Sequence, residues 1–435
     1  MKINKILLLI FLAAFLIRLI ALNQSLWLDE ATTANVVQKY GFTQIINEFS
    51  RNDFHPPLYY LLMKLWTDVF GYSEVALRFP SIIFSLLTGY FVYKIAKLLN
   101  SYIVGVYALV FFLFNPLIVY YSQEARMYMM VTMFLTAALY FFLKRKWILF
   151  GIFGVLGLLT FYGSIFLVAA FLFYFFYKKQ YKYLFISLLV LLGYFLIISP
   201  LLYQQIVNAK VSLTNVTNWS YVLGKANLKN LLLIPVKFSI GRISFEPKWL
   251  YYGIAGGWVS YVLWVLFGNL KSKTLFVYLL IFPLFLGFII SFATPLLQYF
   301  RFIYLIPIMA IILAKNRLGR WGLLGGFFAF SMVYLLLPQF HREDWRGLVK
   351  SLPKDKPVYM IVSSSDPLKY YKQNSSIIEL KSLSSSSSLS REITVIPYAA
   401  EIYGFDYQKL LQEKNYKLTS KKSFRGLELE YWSIR

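Results

Sequence analysis

The sequence predicts a polytopic α-helical membrane protein that ends in a small α/β domain. Of its 435 residues, 59% are hydrophobic and only 14% are charged, against about 25% charged residues in an average soluble protein. Apolar stretches of about 15 to 25 residues, the length that crosses a bilayer as a helix, recur through the first three quarters of the chain. From His341 onward the composition becomes that of a soluble protein.

We expect about eleven spans. The first, residues 3–22, has no small-residue cleavage site, which favours an anchor over a cleaved signal peptide. The others are 77–98, 102–121, 127–143, two within 147–177 that divide near Tyr162-Gly163, 183–203, 249–267, 275–292, 300–314 and 322–337.

Membrane topology explains the net charge of +25 better than nucleic-acid binding does, because the basic residues cluster between alternate spans. With the N-terminus in the cytosol, the cytosolic turns contain no Asp or Glu. Their basic residues are Lys94 and Lys97; Lys144, Arg145 and Lys146; Lys178, Lys179 and Lys182; Lys271 and Lys273; and Lys315, Arg317 and Arg320. An odd number of spans then places the C-terminal domain outside, and the compact chain favours a prokaryotic cytoplasmic membrane.

Two long loops face outward in this topology, residues 23–72 and 204–248. In the first loop we expect a surface helix over 33–49 and a second helix over 58–69, since Pro56-Pro57 suits a first helical turn. In the second, the apolar stretch 228–238 lies in the interface or dips into the membrane. We therefore divide the chain into a membrane domain, residues 1–340, and a soluble domain, residues 341–435.

The soluble domain shows both helix and strand patterns. Helices are predicted over 343–352 and 407–414, and strands over 358–362, 377–380, 393–397 and 427–432. Residues 382–390 are nearly all serine, which is typical of a flexible loop.

Several classes of chemistry are excluded by composition. The chain has no cysteine, which rules out disulfides, thiolate catalysis and cysteine metal sites. Its two histidines, His55 and His341, are too few for a histidine-rich metal centre. Neither a Walker A loop nor a dinucleotide fingerprint is present.

Candidate catalytic residues lie in the first outer loop. Asp29 and Glu30 follow the first span, where a general base, alone or with a metal, is one interpretation and a solvated loop or a helix cap is the other. His55 either caps the next helix or belongs to an active site. Tyr59 fits an interfacial aromatic belt by default.

Candidate phosphate ligands lie on the same face. The short outer turn before the fourth span contains Glu124 and Arg126, and Tyr128 follows it. Glu124 and Arg126 either form a simple ion pair or belong to a site for a lipid phosphate. Arg301 enters the tenth span from outside and either binds phosphate or snorkels. The same alternatives hold for Arg18 and Arg78. Further outer cations that could steer an anionic headgroup are Lys225, Lys229, Lys237 and Arg242.

The order and spacing of these motifs resemble the GT-C membrane glycosyltransferases. The nearest resemblance is to prokaryotic relatives of dolichyl-phosphate-mannose protein mannosyltransferase (glycosyltransferase family 39), and the sequence is similar also to the lipid A aminoarabinose transferase. The matching stretches are residues 26–30, 53–62, 65–66, 70–71, Glu74, 78–81 and 121–128, with thinner support from Arg301, Pro307 and 344–346. The family pattern predicts a more polar pair than Phe161-Tyr162.

The resemblance implies the GT-C fold and a sugar, mannose-like or similar, carried on a polyprenyl phosphate. It places Asp29 at the catalytic position, with Glu30 as the adjacent candidate. The residues that it implies for binding the donor phosphate are Arg126, Arg301 and Tyr128. The substrate-binding candidates are His55, Tyr59, Glu124 and Arg78. A divalent metal at Glu124 and Asp29 is left open.

The resemblance also defines the partners and the rival interpretations. The acceptor would be a protein, glycolipid or envelope polymer, and no nucleic acid is expected. A flippase for a lipid-linked saccharide is the alternative; it predicts charges near the bilayer midplane, whereas here they gather at one surface. A non-catalytic envelope-assembly protein is the third possibility.

Overall fold

We describe the protein from a computed structural model that covers residues 5–268, 274–353, 357–371, 376–385 and 390–434. The expected cytosolic residues Lys271 and Lys273, and residues 386–389 of the serine-rich segment, lie outside the described residues. The part that is described is mainly helical up to residue 350 and contains one small sheet after it.

The N-terminal third is a run of helices around the first outer loop. They are α1 (Lys5–Leu19), α2 (Leu28–Lys39), α3 (Phe42–Gln44), a π-helical turn (Ile45–Phe49), α4 (Ser50–Asn52), α5 (Leu58–Phe70) and α6 (Glu74–Leu99). The helix expected over 33–49 was wrong in its bounds, because α2 starts five residues earlier and the chain extends at Tyr40. The helix predicted after Pro56-Pro57 is confirmed as α5.

The predicted third span is not one straight helix. It consists of α7 (Tyr102–Leu113) and α8 (Pro116–Ser122), bent by 60°. Asn115 stabilises the bend: its carboxamide oxygen accepts from the backbone N–H groups of Leu117 and Ile118, and its nitrogen donates to the Phe238 carbonyl at 2.7 Å. The prediction of a single span gave too little weight to an N-cap residue directly before a proline.

Arg18 is buried at the same bend instead of snorkelling. Its guanidinium donates to the carbonyls of Ala14 and Leu113, at 2.7 and 2.8 Å, and to the Ser85 hydroxyl. Because Leu113 ends α7, Arg18 satisfies a helix-terminal carbonyl that the bend leaves without its intrahelical partner.

The middle of the chain continues as helices, with a break where the sequence predicts one. These are α9 (Tyr128–Leu143), α10 (Trp147–Thr160), a 3₁₀ turn (Tyr162–Ser164), α11 (Ile165–Tyr177), α12 (Tyr181–Asn215), α13 (Trp219–Leu223), α14 (Leu228–Ile240), α15 (Lys248–Phe267), α16 (Thr274–Ile290), a 3₁₀ helix (Tyr299–Leu305), α17 (Ile306–Leu313) and α18 (Arg320–Leu336).

Among the described residues, three helices are long and apolar enough to cross a membrane: α6, residues 181–214 of α12, and α15. The bent α7–α8 pair makes a fourth, and six further apolar helices are shorter. The number of spans therefore stays a prediction. Since α12 has 35 residues, it is about 52 Å long and exceeds the roughly 30 Å hydrocarbon core.

The C-terminal region forms a five-stranded mixed sheet in the order β2-β1-β3-β5-β4. The strands are β1 (Val358–Met360), β2 (Ile377–Glu379), β3 (Glu392–Val395), β4 (Tyr416–Phe424) and β5 (Leu427–Ile434); the helices are α19 (Trp345–Lys350), α20 (Asp366–Tyr371) and α21 (Tyr407–Glu413). Strands β2, β1 and β3 are parallel, whereas β3, β5 and β4 are antiparallel. The sequence analysis missed β4, an edge strand whose residues are mostly exposed and which therefore lacks a hydrophobic alternation.

The sheet region is fastened to the first outer loop by polar contacts. The Tyr371 hydroxyl accepts from the Leu26 N–H at 2.8 Å and donates to Glu74. Thr32 in α2 donates to the Asp366 carboxylate at 2.7 Å. The domain boundary at residue 340 stays a prediction, but these contacts hold the sheet region against α2.

Candidate functional site

The acidic pair lies in the first turn of α2, and its two side chains point in different directions. Successive helical residues are turned by about 100°, so one carboxylate can face the protein while the next faces out. The Asp29 side chain is 36% exposed, whereas Glu30 is fully buried. Only Asp29 of this pair is therefore accessible to a substrate.

Glu30 is fixed in a buried ion pair. The Arg78 guanidinium binds both of its carboxylate oxygens, at 2.8 and 2.6 Å, and the Ala125 N–H donates to it at 2.8 Å. Burial opposes ionisation, but Arg78 and Arg342 hold the pKa of Glu30 below its ordinary value. Glu30 thus ties α2 to the turn at 123–127.

Arg78 uses its remaining donors on the backbone. Beyond Glu30, it donates to the carbonyls of Leu22, Gln24 and Ser25 at 2.7 to 3.1 Å. It has no exposed surface. The expected substrate contact of Arg78, and the expected direct catalytic role of Glu30, therefore do not fit this geometry: both residues lie beneath the site and position it.

Glu124 is paired with an arginine from the C-terminal side. The Arg342 guanidinium donates to one Glu124 oxygen at 3.1 Å and lies 3.4 Å from Glu30. The other Glu124 oxygen, although buried, has no hydrogen-bond partner in the described part of the chain. Burial raises the pKa of Glu124 to about 7, against the opposing effect of Arg342.

Arg126 lies next to the exposed carboxylate. One of its terminal nitrogens is 3.6 Å from Asp29, and the other donates to the Tyr60 hydroxyl at 3.3 Å. Burial alone would lower the pKa of Arg126, but Asp29 and its other acidic neighbours keep it above the ordinary value. Its Nε is buried and has no hydrogen-bond partner among the described residues, so the cation has a donor to spare.

Aromatic rings border the site beside Asp29 and Arg126. The His55 ring stacks on Phe161 at 6.3 Å, and Tyr128 packs edge-on against Phe161 and Phe300. Phe161 follows the C-terminus of α10, so the apolar residue at this position faces the site. The Tyr59 hydroxyl is buried and finds no hydrogen-bond partner in the described ranges.

His55 itself is held by its neighbours. Its Nδ1 lies 3.4 Å from Asp53, and its carbonyl accepts from the buried Gln205 side chain of α12. Burial opposes ionisation of Asp53, but His55 and Arg126 keep the pKa of Asp53 below its ordinary value.

Two further cations flank these aromatic rings. Arg301 in the 3₁₀ helix is partly exposed, lies within electrostatic reach of Tyr128, and its guanidinium has no hydrogen bond or ion pair among the described residues. Arg242 is exposed and donates to the Tyr120 hydroxyl at 2.8 Å. A phosphate would find unpaired donors on Arg126 and Arg301.

Several buried polar atoms without a hydrogen bond belong to this one region. Within the described ranges the buried side-chain atoms that lack one are Gln24 Nε2, Trp27 Nε1, Asp53 Oδ2, the Tyr59 hydroxyl, Gln123 Oε1, Glu124 Oε1, Arg126 Nε and Arg342 Nε. Asp53 Oδ2 and Arg342 Nε still lie in ion pairs, with His55 and Glu30. Buried polar groups without partners are rare in folded proteins. Their concentration here indicates the place of a polar ligand.

The metal site that the sequence left open at Glu124 and Asp29 has no complete ligand set among the described residues. No group of three or more His, Asp or Glu side chains that could hold a metal ion occurs among the described residues. Glu124 offers one free oxygen, while Asp29 faces Arg126. Metal dependence stays a prediction.

Sequence reasoning missed Arg342. Residues 344–346 resemble the family pattern at the opening of the soluble tail, but an arginine four residues earlier than Arg346 carries no motif of its own. The fold makes Arg342 part of the site by stacking its guanidinium on Tyr120 at 4.3 Å, between Glu30 and Glu124.

Comparison with known proteins finds one family profile and several solved structures that this chain resembles. The family profile of dolichyl-phosphate-mannose-protein mannosyltransferases matches residues 54–204. A search of curated sequences gave no significant match.

Solved structures share the fold at low sequence identity. ArnT from Cupriavidus metallidurans in the apo state has a TM-score of 0.61 at 10% identity over 98% of this chain and 97% of that one. ArnT bound to undecaprenyl phosphate has a TM-score of 0.58 with the same identity and coverage. The Archaeoglobus fulgidus oligosaccharyltransferase AglB, in complex with an inhibitory peptide and a dolichol-phosphate, has a TM-score of 0.51 at 12% identity over 94% and 72%.

Proposed function

We propose that the chain, whose residues 54–204 match the profile of the dolichyl-phosphate-mannose-protein mannosyltransferases and whose fold resembles that of ArnT, is a membrane glycosyltransferase using a lipid-phosphate-linked sugar. The observation that carries the proposal is the contact between an exposed carboxylate, Asp29, and a buried cation with a free donor, Arg126. The carboxylate supplies a base and the cation a phosphate ligand. That a solved structural relative was crystallised with undecaprenyl phosphate supports the donor class.

The proposed reaction is a single inverting displacement. Asp29 takes the proton of an acceptor hydroxyl, whose oxygen forms the new bond to the anomeric carbon. The bond from that carbon to the phosphate oxygen breaks on the opposite face. The polyprenyl phosphate leaves with that electron pair, and the proton remains on Asp29.

The 3.6 Å contact between Asp29 and Arg126 adds a step to this mechanism. A base already paired with a cation accepts a proton poorly. When the donor's anionic phosphodiester binds Arg126, it competes with Asp29 for the guanidinium and frees the carboxylate. Donor binding would thereby activate the base.

The cations also act selectively on the transition state. The phosphodiester carries one negative charge, and the leaving phosphate monoester gains a second. Arg126 and Arg301 therefore interact more strongly as the bond breaks, which is the requirement for electrostatic catalysis. Tyr128, between Arg301 and the other aromatic rings, offers a hydroxyl to the same phosphate.

The finer topology belongs to the same proposal. It comprises about eleven spans, a cytosolic N-terminus, a membrane domain of residues 1–340 and an extracytoplasmic domain of residues 341–435 in a prokaryotic cytoplasmic membrane. The sugar is a hexose, mannose-like or similar. The acceptor is a hydroxyl on a protein, a glycolipid or an envelope polymer.

The experiment is donor turnover by purified protein reconstituted in vesicles. A panel of radiolabelled polyprenyl-phosphate sugars is supplied with a membrane extract as acceptor. We expect label from one donor to appear in a new, non-donor product. Movement of intact donor across the vesicle membrane without any product would instead favour the flippase alternative.

A further inference from the structure

A cavity lies on the C-terminal region. Its volume is about 660 Å³, within the roughly 300–1,000 Å³ of small-molecule sites. One wall is the turn between β3 and α21, the other is the β4–β5 hairpin turn, and Asn218 closes the end. We name it the outer cleft.

The outer cleft is rigidly attached to the membrane domain. The Asn218 side chain donates to the Glu401 carbonyl at 2.9 Å, and its N–H donates to the Ile402 carbonyl at 3.0 Å. A side chain in place of Gly404 would meet Thr217 at 3.1 Å. The cleft is thus fixed to the segment that follows the long helix α12.

The charge of the outer cleft opposes that of the chain. Basic residues outnumber acidic ones by 44 to 19 in the sequence. Among the described residues that line the cleft there are three carboxylates, Glu401, Asp406 and Glu428, and neither lysine nor arginine. Glu428 is paired with Lys421 from β4, which leaves the other two to define the potential inside.

The lining is rich in hydrogen-bond acceptors. Glu401 is exposed, and its carboxylate has no partner in the described part of the chain. Asp406 caps α21 through one oxygen, which accepts from the Lys409 N–H. Carboxylates accept hydrogen bonds only, so the matching ligand is rich in donors and is not an anion.

Aromatic residues complete the lining and connect it to the base. Tyr398, Phe405 and Tyr407 border the cleft. The Tyr398 hydroxyl donates to Glu343 at 3.1 Å, and both residues lie within electrostatic reach of Asp29. Tyr398 therefore belongs both to the lining of the cleft and to the surroundings of Asp29.

We infer that the outer cleft binds the acceptor, and that the bound portion is a hydroxyl-rich saccharide. Hydroxyl groups donate to Glu401 and Asp406, while sugar rings pack on Tyr398 and Phe405, the partly exposed aromatic residues of the lining. The carboxylates repel the phosphate-bearing donor, which the arginines around Asp29 attract. The inference rests on the proposed transferase function and assigns the two substrates to oppositely charged surfaces.

The test uses the full-length protein in vesicles and the double variant Glu401→Gln/Asp406→Asn. Asparagine remains a good helix N-cap, so α21 is preserved. Glu413→Gln, an exposed residue of the same helix outside the lining, is the matched control. Initial transfer rates are measured against membrane-extract concentration, then against donor concentration.

The expected result is at least a tenfold rise in the half-saturating extract concentration for the double variant, with donor dependence and maximal rate unchanged. The control should behave as wild type. An unchanged acceptor dependence in the double variant would overturn the inference.

A second readout separates failure of this inference from failure of the proposed function. Binding of mannotetraose and of a lysine-rich peptide to the same proteins is measured directly by calorimetry, without any donor. Saccharide binding that the double variant loses supports the cleft even if no transfer occurs. Peptide binding alone, or no binding of either probe, counts against it.

Discussion

At the scale of single residues, the division of labour between Asp29 and Glu30 follows from their positions on α2. Glu30 is enclosed by Arg78 and Arg342, and removal of one member of such a buried network costs about 3 to 5 kcal/mol. Asp29 keeps its exposure and lies beside Arg126. Chemistry at Asp29 therefore depends on a charge network that no substrate touches.

The pH dependence of stability tests the burial of Glu124. Its pKa is raised from 4.5 to about 7, so its contribution to stability is complete below pH 4.5 and is lost as pH rises to about 7. The shift corresponds to roughly 3 kcal/mol. We expect the thermal midpoint of wild type, relative to that of Glu124→Gln, to decrease as the pH rises from 4.5 to about 7.

Detergent-solubilised protein and a thermal-shift assay suffice for this measurement. Comparison with Glu124→Gln removes the contributions of all other groups. A midpoint difference that stays flat, or rises with pH, would contradict the assignment of Glu124 as a buried carboxyl with an incomplete set of partners.

Sequence reasoning found residues by motif and missed those that act through packing. The stretches around Asp29 and Arg126 were recognisable because several characteristic residues lie close together. Arg342 acts on Glu30 and Glu124 from more than 200 positions away along the chain, and only the folded structure brings them into contact. For the same reason, the sequence could not show that Arg78 lies beneath the site and donates its hydrogen bonds to Glu30 and to backbone carbonyls.

At the scale of elements, the site is assembled where helices stop. Asp29 lies at the start of α2, Arg126 in the turn before α9, Phe161 between α10 and α11, and Arg301 in a 3₁₀ helix. The break near Tyr162-Gly163 was predictable from span length. The bend at Asn115 was not, since an apolar run from 102 to 121 has the length of a single span.

A glycine holds the segment that leads to Arg301. Gly224 has φ +98°, and a Cβ there would lie 2.6 Å from the backbone of Leu297, whose N–H donates to the Gly224 carbonyl at 2.8 Å. We expect Gly224→Ala to displace this segment and to raise the donor KM at least fivefold, measured in the transfer assay.

Gly71→Ala is the matched control for that prediction. Gly71 also has positive φ, +81°, but an added Cβ meets no atom of the described residues within 4 Å. The Gly71→Ala substitution should lower the stability only by the backbone strain of about 1 to 2 kcal/mol, and it should leave the donor KM unchanged. Equal effects of both substitutions on KM would show that strain, and not the clash with Leu297, is responsible.

At the scale of the whole molecule, charge is sorted by surface. The charged residues of the expected cytosolic turns are all basic. The paired carboxylates lie instead beside the arginines of the site. The sheet region contacts Leu26 through Tyr371 and α2 through Asp366, and Arg342, which precedes it, pairs with Glu30 and Glu124. The whole fold therefore brings the sheet region and the helical region together around one polar centre.

The absence of cysteine from the sequence allows the topology to be tested directly. Single cysteines at Lys146, Lys225 and Ser390, all exposed, are reacted with a membrane-impermeant maleimide in intact cells. We expect Lys225→Cys and Ser390→Cys to label, and Lys146→Cys to label only after permeabilisation. Labelling of Lys146→Cys in intact cells would refute the proposed orientation.

Donor turnover by Asp29→Asn tests the central claim most directly. Asparagine keeps the shape of the side chain but cannot take a proton, and a positioned base contributes roughly a hundred- to ten-thousand-fold. Asp68→Asn, the same change on an exposed carboxylate in α5, controls for handling and insertion. We predict that Asp29→Asn loses at least about 99% of turnover, the lower end of that range, while Asp68→Asn retains it; wild-type turnover by Asp29→Asn would remove Asp29 from catalysis.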